Sequence, residues 1–313
     1  MRLWGTAGRG LPFLALAAAA ALGCAGPHEP GRAAALPPLT AATELNDRLG
    51  SDDVPLLLDT RPAARYGEAH VPGAVPFDAR RGLGPAGELD EPTRTRLMSL
   101  LEENRVRRDS AVLAIDDGSR EGFARAALAC WTLALADVPG CAVLDGGIDA
   151  WRTAGGKPAR GIETPAVAAP VPAPERPKLA QRPTALAALD TVRRATFEPD
   201  TLVIDVRELR DATEIPGALR LPLSALVAGT GRVDPAALRK RAAERGLYAE
   251  RSIVVVGESA DEAAAAWFAL ARVAGIRGVR AFAGGLPAWR AHPLYPPVEQ
   301  STAAGSVNPR PGG

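Results

Sequence analysis

The stretch SIVVVGESADEAAAAWFALARVAG, residues 252–275, predicts a buried β-strand that passes directly into an amphipathic helix. A strand that runs into the amino terminus of a helix directs several free backbone N–H groups, and the positive pole of the helix dipole, at one point. Such a turn favours anions and thiolates. The turn here, Gly257 to Glu262, contains neither a thiol nor a basic side chain, so its chemistry is the first question that the sequence raises.

This stretch is one part of an internal repeat that covers most of the chain. VPLLLDTRPAARYGEAHVPGAVPFD, from Val54, matches DTLVIDVRELRDATEIPGALRLPLS, from Asp200. AVLAIDDGSREGFARAALACWTLALA, from Ala111, matches the opening stretch, and the two copies end in VLDGGIDAWRTAG and AFAGGLPAWRAHP. Short apolar runs that alternate with helical patterns predict an α/β fold, in which each copy forms an open, mostly parallel five-stranded sheet with helices on both faces.

Three features of each copy follow strands and are therefore expected together at the carboxyl edge of the sheet, where sites lie in such folds. They are the Asp-x-Arg motif, the strand-to-helix turn and the Gly-Gly turn.

The domain boundaries follow from changes in composition along the chain. We expect an export signal over 1–24, a tether over 25–38, domain one over 39–160, a Pro/Ala-rich linker over 161–181, domain two over 182–298 and a disordered tail over 299–313.

The first residues have the pattern of an export signal. Arg2 and Arg9 precede an apolar run, Leu11 to Leu22, that is too short to span a bilayer as a mature helix. The run ends in AALGC, which resembles a bacterial lipobox with Cys24 as the lipidated residue, and signal peptidase I cleavage nearby is the alternative. We therefore expect an exported protein of the cell envelope, lipid-anchored and facing the periplasm.

The net charge of the chain argues against nucleic acid as a partner. The 37 basic and 36 acidic residues nearly cancel, so no overall field attracts nucleic acid. No motif predicts a cofactor or a metal ion.

An exported protein can form disulfides, but Cys130 lies inside a predicted helix and Cys141 opens a predicted strand. That geometry disfavours a bridge, so we expect both to be buried as small apolar residues.

Both copies resemble rhodanese domains, and their tandem layout is similar to that of the thiosulfate and 3-mercaptopyruvate sulfurtransferases. Copy one carries Asp59-Thr60-Arg61, His70-Val71-Pro72-Gly73-Ala74, and Gly146-Gly147 followed by Trp151. Copy two carries Asp205-Val206-Arg207, Ile215-Pro216-Gly217-Ala218, and Gly284-Gly285 followed by Trp289. In that family the turn begins with a cysteine, whose thiolate the helix amides stabilise and which carries sulfane sulfur as a persulfide.

The resemblance implies two vestigial active-site loops, because Asp116 and Gly257 stand at the nucleophile positions. The loops comprise Asp116, Asp117, Gly118, Ser119, Arg120 and Glu121 in copy one, and Gly257, Glu258, Ser259, Ala260, Asp261 and Glu262 in copy two. It also implies that loop-supporting roles fall to Asp59, Arg61, His70, Asp205 and Arg207.

The residue types of the two turns also argue against thiolate chemistry. In copy two, three carboxylates would repel anionic substrates and raise the pKa of a thiol. The Ser-x-x-Glu spacing of Ser259 and Glu262 predicts a capping box that uses the free amides internally. Ordinary stabilisation of the first helical turn explains the acidic residues better than a cation site does. In copy one, Asp116 can act as a built-in anion, and an aspartyl nucleophile for phosphoryl transfer is the alternative.

Three functions remain. The first is a catalytically inactive tandem rhodanese-like protein that binds a partner protein or a small anion. The second is an active thiosulfate sulfurtransferase that carries sulfur on Cys130 or Cys141. The third is a structural spacer in the envelope, which only the tether and linker support.

Overall fold

The computed structural model describes residues 35–84, 87–161, 170–181, 183–198, 200–208, 214–248 and 251–291. The predicted export signal with Cys24, most of the tether, the first part of the linker and the tail lie outside these ranges. No helix within them has the length and apolar character that a transmembrane span requires.

Domain one contains a parallel sheet of five strands, in the order β1-β5-β4-β2-β3 within the described residues. The strands are β1 (Leu39–Thr40), β2 (Leu56–Asp59), β3 (Val75–Pro76), β4 (Val112–Ile115) and β5 (Cys141–Leu144). The helices are α1 (Ala42–Leu49), α2 (Ala63–Glu68), α3 (Glu91–Glu103), α4 (Arg120–Leu135) and α5 (Gly147–Thr153). β2, β4 and β5 are buried along their whole length, as expected for a parallel sheet that is covered on both faces.

Domain two repeats this plan with a parallel sheet of four strands in the described residues, in the order β7-β6-β8-β9. The strands are β6 (Thr201–Asp205), β7 (Leu219–Arg220), β8 (Ser252–Val256) and β9 (Val279–Phe282). The helices are α6 (Leu189–Ala195), α7 (Pro235–Glu244), α8 (Ala260–Trp267) and α9 (Gly285–Arg290), and a π-helical segment, Phe268–Val273, continues α8.

The prediction of five strands is therefore correct for domain one, whereas the described residues of domain two form four. At the place of the fifth strand, Leu186 forms a single parallel bridge with Ala281. The Ala187 amide donates to the Ala281 carbonyl at 3.0 Å, and the Ala281 amide donates to the Ala185 carbonyl at 2.9 Å. The chain enters α6 at Leu189, which limits further pairing on the carboxyl side of this bridge.

The two domains share one hydrophobic core. A single cluster of buried residues includes both α4 and α8, whereas the opposite face of each sheet has a small core of its own. Phe123 of α4 meets Phe268 edge to face at a centroid distance of 5.8 Å. The indole Nε1 of Trp131 donates to the Ala185 carbonyl of the other domain at 2.9 Å. Helix α4 is buried on nearly all sides because one side covers its own sheet and another packs against α8.

The two cysteines form a disulfide, contrary to the expectation from sequence. Cys130 and Cys141 are bonded, and their Cα atoms lie 5.2 Å apart. Position within a helix does not prevent the bond, because α4 lies directly on β5 and Cys130 is on the face that meets the first residue of that strand.

Parts of the predicted tether and linker pack on domain one. The amide of Val143 donates to the Pro38 carbonyl at 2.9 Å, so the end of the tether lies along the sheet edge. In the linker, Glu175 forms an ion pair with Arg107, and the Lys178 amide donates to the Ala136 carbonyl at 3.1 Å. The described half of the linker is therefore held against domain one.

Candidate functional site

In both domains the strand-to-helix turn and the Gly-Gly turn are in contact at the carboxyl edge of the sheet. The Ile148 amide donates to the Asp116 carbonyl at 2.8 Å, and the Leu286 amide donates to the Gly257 carbonyl at 3.0 Å. Gly147 has a φ of +63°, and a Cβ there would collide with the Gly118 nitrogen. Glycine is therefore required where the two turns approach each other.

The Asp-x-Arg motifs form buried ion pairs beside the turns. Arg61 Nη2 lies 2.6 Å from Asp59 Oδ2 and also donates to the Ala69 carbonyl at 2.6 Å. Arg207 Nη2 lies 2.7 Å from Asp205 Oδ2. Both pairs are almost fully excluded from solvent, so each arginine is committed to its aspartate and to the loop that follows it.

In domain one, Asp116 is buried inside its own turn. The residue is 2% exposed, and its Oδ1 accepts the Gly118 amide proton at 2.5 Å. Burial is the largest effect on this carboxyl and raises its pKa to about 7, which the hydrogen bond from Gly118 only partly opposes. The carboxyl group thus accepts the hydrogen bond from an amide that could otherwise bind an anion.

The rest of the first turn is bonded internally and to domain two. Asp117 Oδ2 accepts from Arg125 at 2.5 Å. Its Oδ1 accepts from the Ser119 hydroxyl at 2.5 Å, while Ser119 caps α4 through the Gly122 amide. Arg120 points to domain two, where its Nε donates to the Val227 carbonyl at 3.0 Å. Every polar side chain of this turn except Glu121 therefore has a hydrogen-bond partner among the residues described.

In domain two, the side chain of Glu262 fills the space above Gly257. Glu262 Oε2 accepts a hydrogen bond from the Glu258 amide at 2.8 Å, and the Glu262 amide donates to Ser259 Oγ at 3.4 Å. The serine half of the predicted capping box is therefore present, whereas the carboxylate binds the amide of Glu258, one residue before the cap. A Cβ at Gly257 would lie 2.6 Å from Glu262 Cβ and 2.9 Å from Oε2. Burial is the main cause of a raised pKa for this carboxyl.

The other two carboxylates of the second turn are neutralised, which the sequence does not predict. Glu258 Oε1 accepts from Arg290 Nη1 at 2.8 Å. Asp261 pairs with Arg80 of domain one at 2.8 Å. Arg290 also holds Glu214, whose pKa it lowers to about 2 with help from Arg207. The expected repulsion of anions by three carboxylates is therefore largely compensated by arginines.

A cleft of about 520 Å³ lies between the domains, next to the first turns of α4 and α8. Three arginines line it, and each has a carboxylate partner: Arg80 with Asp261 at 2.8 Å, Arg125 with Asp117 at 2.5 Å and Arg120 with Glu208 at 3.8 Å. Neither Asp116 nor Gly257 lines this cleft. Within the described ranges, no three His, Cys, Asp or Glu side chains are grouped as a metal ion requires.

The remaining predicted residues lie in structural positions. His70 is fully buried and stacks on Tyr66 with ring centroids 4.0 Å apart. Its backbone pairs with Ala159 in both directions, which fixes the loop. Trp151 and Trp289 are buried in the cores beneath α5 and α9.

Sequence reasoning missed the cations that neutralise the turns. Arg290 follows Trp289 just as Arg152 follows Trp151, so the repeated Trp-Arg pair was an available signal. Arg125 lies in the second turn of α4, whose first residue follows Asp117 by three positions, so this pair is also local in sequence. Arg80 carries no such signal, because its contact with Asp261 depends on how the two domains meet.

Comparison with known proteins places these features in a family. The model of the rhodanese-like domain matches residues 41–154 and 188–292. The thiosulfate sulfurtransferase of Azotobacter vinelandii is 28% identical over 283 residues, which cover 84% of this chain and 97% of that protein.

Solved structures share the fold. The anaerobic ergothioneine biosynthesis enzyme from Chlorobium limicola, in complex with trimethyl histidine, superposes with a TM-score of 0.67 at 17% identity, over 83% of this chain and 69% of that one. YnjE superposes with a TM-score of 0.68 at 19% identity, over 83% and 68%.

The buried Asp116 carboxyl predicts a pH dependence of stability. Its pKa is about 7 in the folded protein, whereas the ordinary value of an aspartate is 3.8, so between those values the folded state holds a proton that the unfolded state has lost. The free energy of unfolding should therefore fall as pH rises from about 4 to about 7, by at most about 4 kcal/mol, and then stay level.

Urea denaturation of the wild type and of Asp116→Asn across this range tests the effect. The asparagine can still accept from Gly118 but does not titrate, so its curve should lose this slope, whereas Asp149→Asn, at an exposed carboxylate, should keep it. Parallel curves for wild type and Asp116→Asn would contradict the assignment.

Proposed function

Since the chain belongs to the rhodanese-like domain family, we propose that it is a catalytically inactive tandem member of the cell envelope that binds a partner protein or a small anion. The observation that carries the proposal is that a side-chain carboxyl group accepts a hydrogen bond from a backbone amide at each turn. Asp116 accepts the Gly118 amide, and Glu262 accepts the Glu258 amide above Gly257. A carboxylate can take the place of a thiolate at such amides but cannot carry sulfane sulfur.

The state of the two cysteines also supports the inactive function over the alternative of sulfur transfer through a non-standard cysteine. Cys130 and Cys141 are bonded to each other, and each is 2% exposed. Cys141 is the first residue of β5, so the disulfide lies at the amino edge of the sheet, opposite the two turns. Sulfur transfer from there would need reduction of the bond and a separate route for substrate.

The proposed location in the envelope rests on the lipobox-like end of the leader and on this disulfide, since disulfides persist mainly in exported proteins. The anchor would be Cys24. A spacer role has no comparable support, because the described half of the linker packs on domain one instead of separating the domains.

We expect no thiocyanate formation when the purified mature protein is incubated with thiosulfate and cyanide, because neither turn offers a thiolate. The assay is run with and without prior reduction by dithiothreitol. Turnover that disappears in Cys130→Ser or Cys141→Ser would overturn the proposal and establish sulfur transfer through a non-standard cysteine.

Gly257→Cys alone is expected to leave turnover at the wild-type level, because the Glu262 side chain occupies the space that the new thiol needs. Gly257→Ala serves as the matched control, since it adds the same Cβ without the sulfur and reports any loss of stability in thermal unfolding. Strong thiocyanate formation by Gly257→Cys would show that the turn remains competent.

Labelling of cells with radioactive palmitate tests the anchor. The wild type should take up label and Cys24→Ala should not. Equal labelling of the two proteins, or none in the wild type, would contradict lipidation at Cys24.

A further inference from the structure

A second cavity, of about 390 Å³, lies between the domains at the opposite edge of the sheets, where β5 and β9 begin. It shares no residue with the cleft beside the turns. Its volume is within the range of small-molecule sites. The walls are mainly apolar, with Val138, Trp267, Ile276 and Val279 among them, and the Cys130–Cys141 disulfide forms part of one wall.

The cavity is placed where the two copies of the repeat face each other. The offset that relates Trp151 to Trp289 also relates wall residues in pairs. These pairs are Ala134 with Arg272, Val138 with Ile276, Pro139 with Arg277 and Cys141 with Val279. The apolar lining is thus common to both copies, whereas domain two adds two arginines.

Arg272 is one of three charged residues in the lining of this cavity, with Asp137 and Arg277. It belongs to the π-helical segment Phe268–Val273, and π-helical turns are uncommon and concentrate at functional sites. Its Nη2 donates to the Pro139 carbonyl at 2.9 Å and to the Cys141 carbonyl at 3.4 Å. The side chain is half-buried, and this burial lowers the pKa of its guanidinium.

The charge of Arg272 is not balanced by the protein around it. In the part of the chain that the structure describes, no carboxylate pairs with Arg272, in contrast to the three arginines of the cleft. Asp137 also lines the cavity, but it pairs with Arg108 at 2.7 Å. Arg277 adds a second positive charge at the rim. A half-buried cation without a counterion is stabilised by an anion that brings its own charge.

We propose that this cavity binds a small monocarboxylate with an apolar tail. The carboxylate pairs with the free N–H groups of Arg272, and the tail packs against Trp267, Ile276 and Val138. This proposal specifies the small anion of the binding function proposed above and places it away from the turns, where the cleft arginines are already paired.

The disulfide holds in place the backbone carbonyls that bind Arg272. It ties α4 to the start of β5, and the residues just before and at that point, Pro139 and Cys141, supply the carbonyls that hold Arg272. The bond therefore keeps the guanidinium in position without contributing a charge. Reduction should loosen this anchor and weaken binding of the carboxylate.

The test compares octanoate with octanamide, which has the same tail and no charge, by isothermal titration calorimetry on the full mature protein. The wild type should bind octanoate at least about tenfold more tightly than octanamide, because a charge-assisted pair is added. Arg272→Gln should remove the preference, whereas Arg245→Gln, which removes the same charge at an exposed site, should keep it. Circular dichroism confirms that each variant is folded.

A second arm tests the location. Ala271→Trp, which fills the cavity, should weaken both ligands by at least about tenfold. Equal affinity of the wild type for the two ligands, no binding of octanoate, or a preference that survives Arg272→Gln would each overturn the proposal. Thiocyanate formation is measured separately, so these outcomes are distinguishable from failure of the inactive function.

Discussion

The packing of α4 against α8 is the contact on which the rest of the molecule depends. Each helix covers one face of its own sheet and, with its other side, the helix of the other domain. Alanine is frequent in both helices, as in ADEAAAAW of α8, and such short side chains let the helices come close. One core then extends through both domains, and their relative position is fixed by hydrophobic burial and not by the linker alone.

This arrangement generates two clefts with different chemistry. The cleft at the carboxyl edge is bordered by helix amino termini, and its charged groups are joined across the domains, as Arg80 is to Asp261. The cavity at the amino edge is bordered by helix ends and strand starts, and no carboxylate in the described part of the chain pairs with its Arg272. In this chain the polar turns are closed by internal hydrogen bonds and ion pairs, whereas the apolar cavity contains Arg272.

The sequence predicts the elements that repeat and misses the contacts that depend on docking. The Asp-x-Arg pairs, the Gly-Gly turns and the Ser259 cap of α8 follow from local spacing, and the structure contains them, although Glu262 binds the Glu258 amide and not that of Ser259. The disulfide between Cys130 and Cys141 could not be derived, because it depends on which face of α4 meets β5. Among the described residues of domain two, a single bridge between Leu186 and Ala281 stands in place of the fifth strand, and such element boundaries are the part of a fold that sequence patterns predict least well.

The position of Glu262 above Gly257 makes the effects of mutations at these two sites interdependent. Any side chain added at 257 meets Glu262 Cβ and Oε2, so it is tolerated only after position 262 has been shortened or has moved. This is sign epistasis: the order of substitutions decides whether each step is acceptable to the fold.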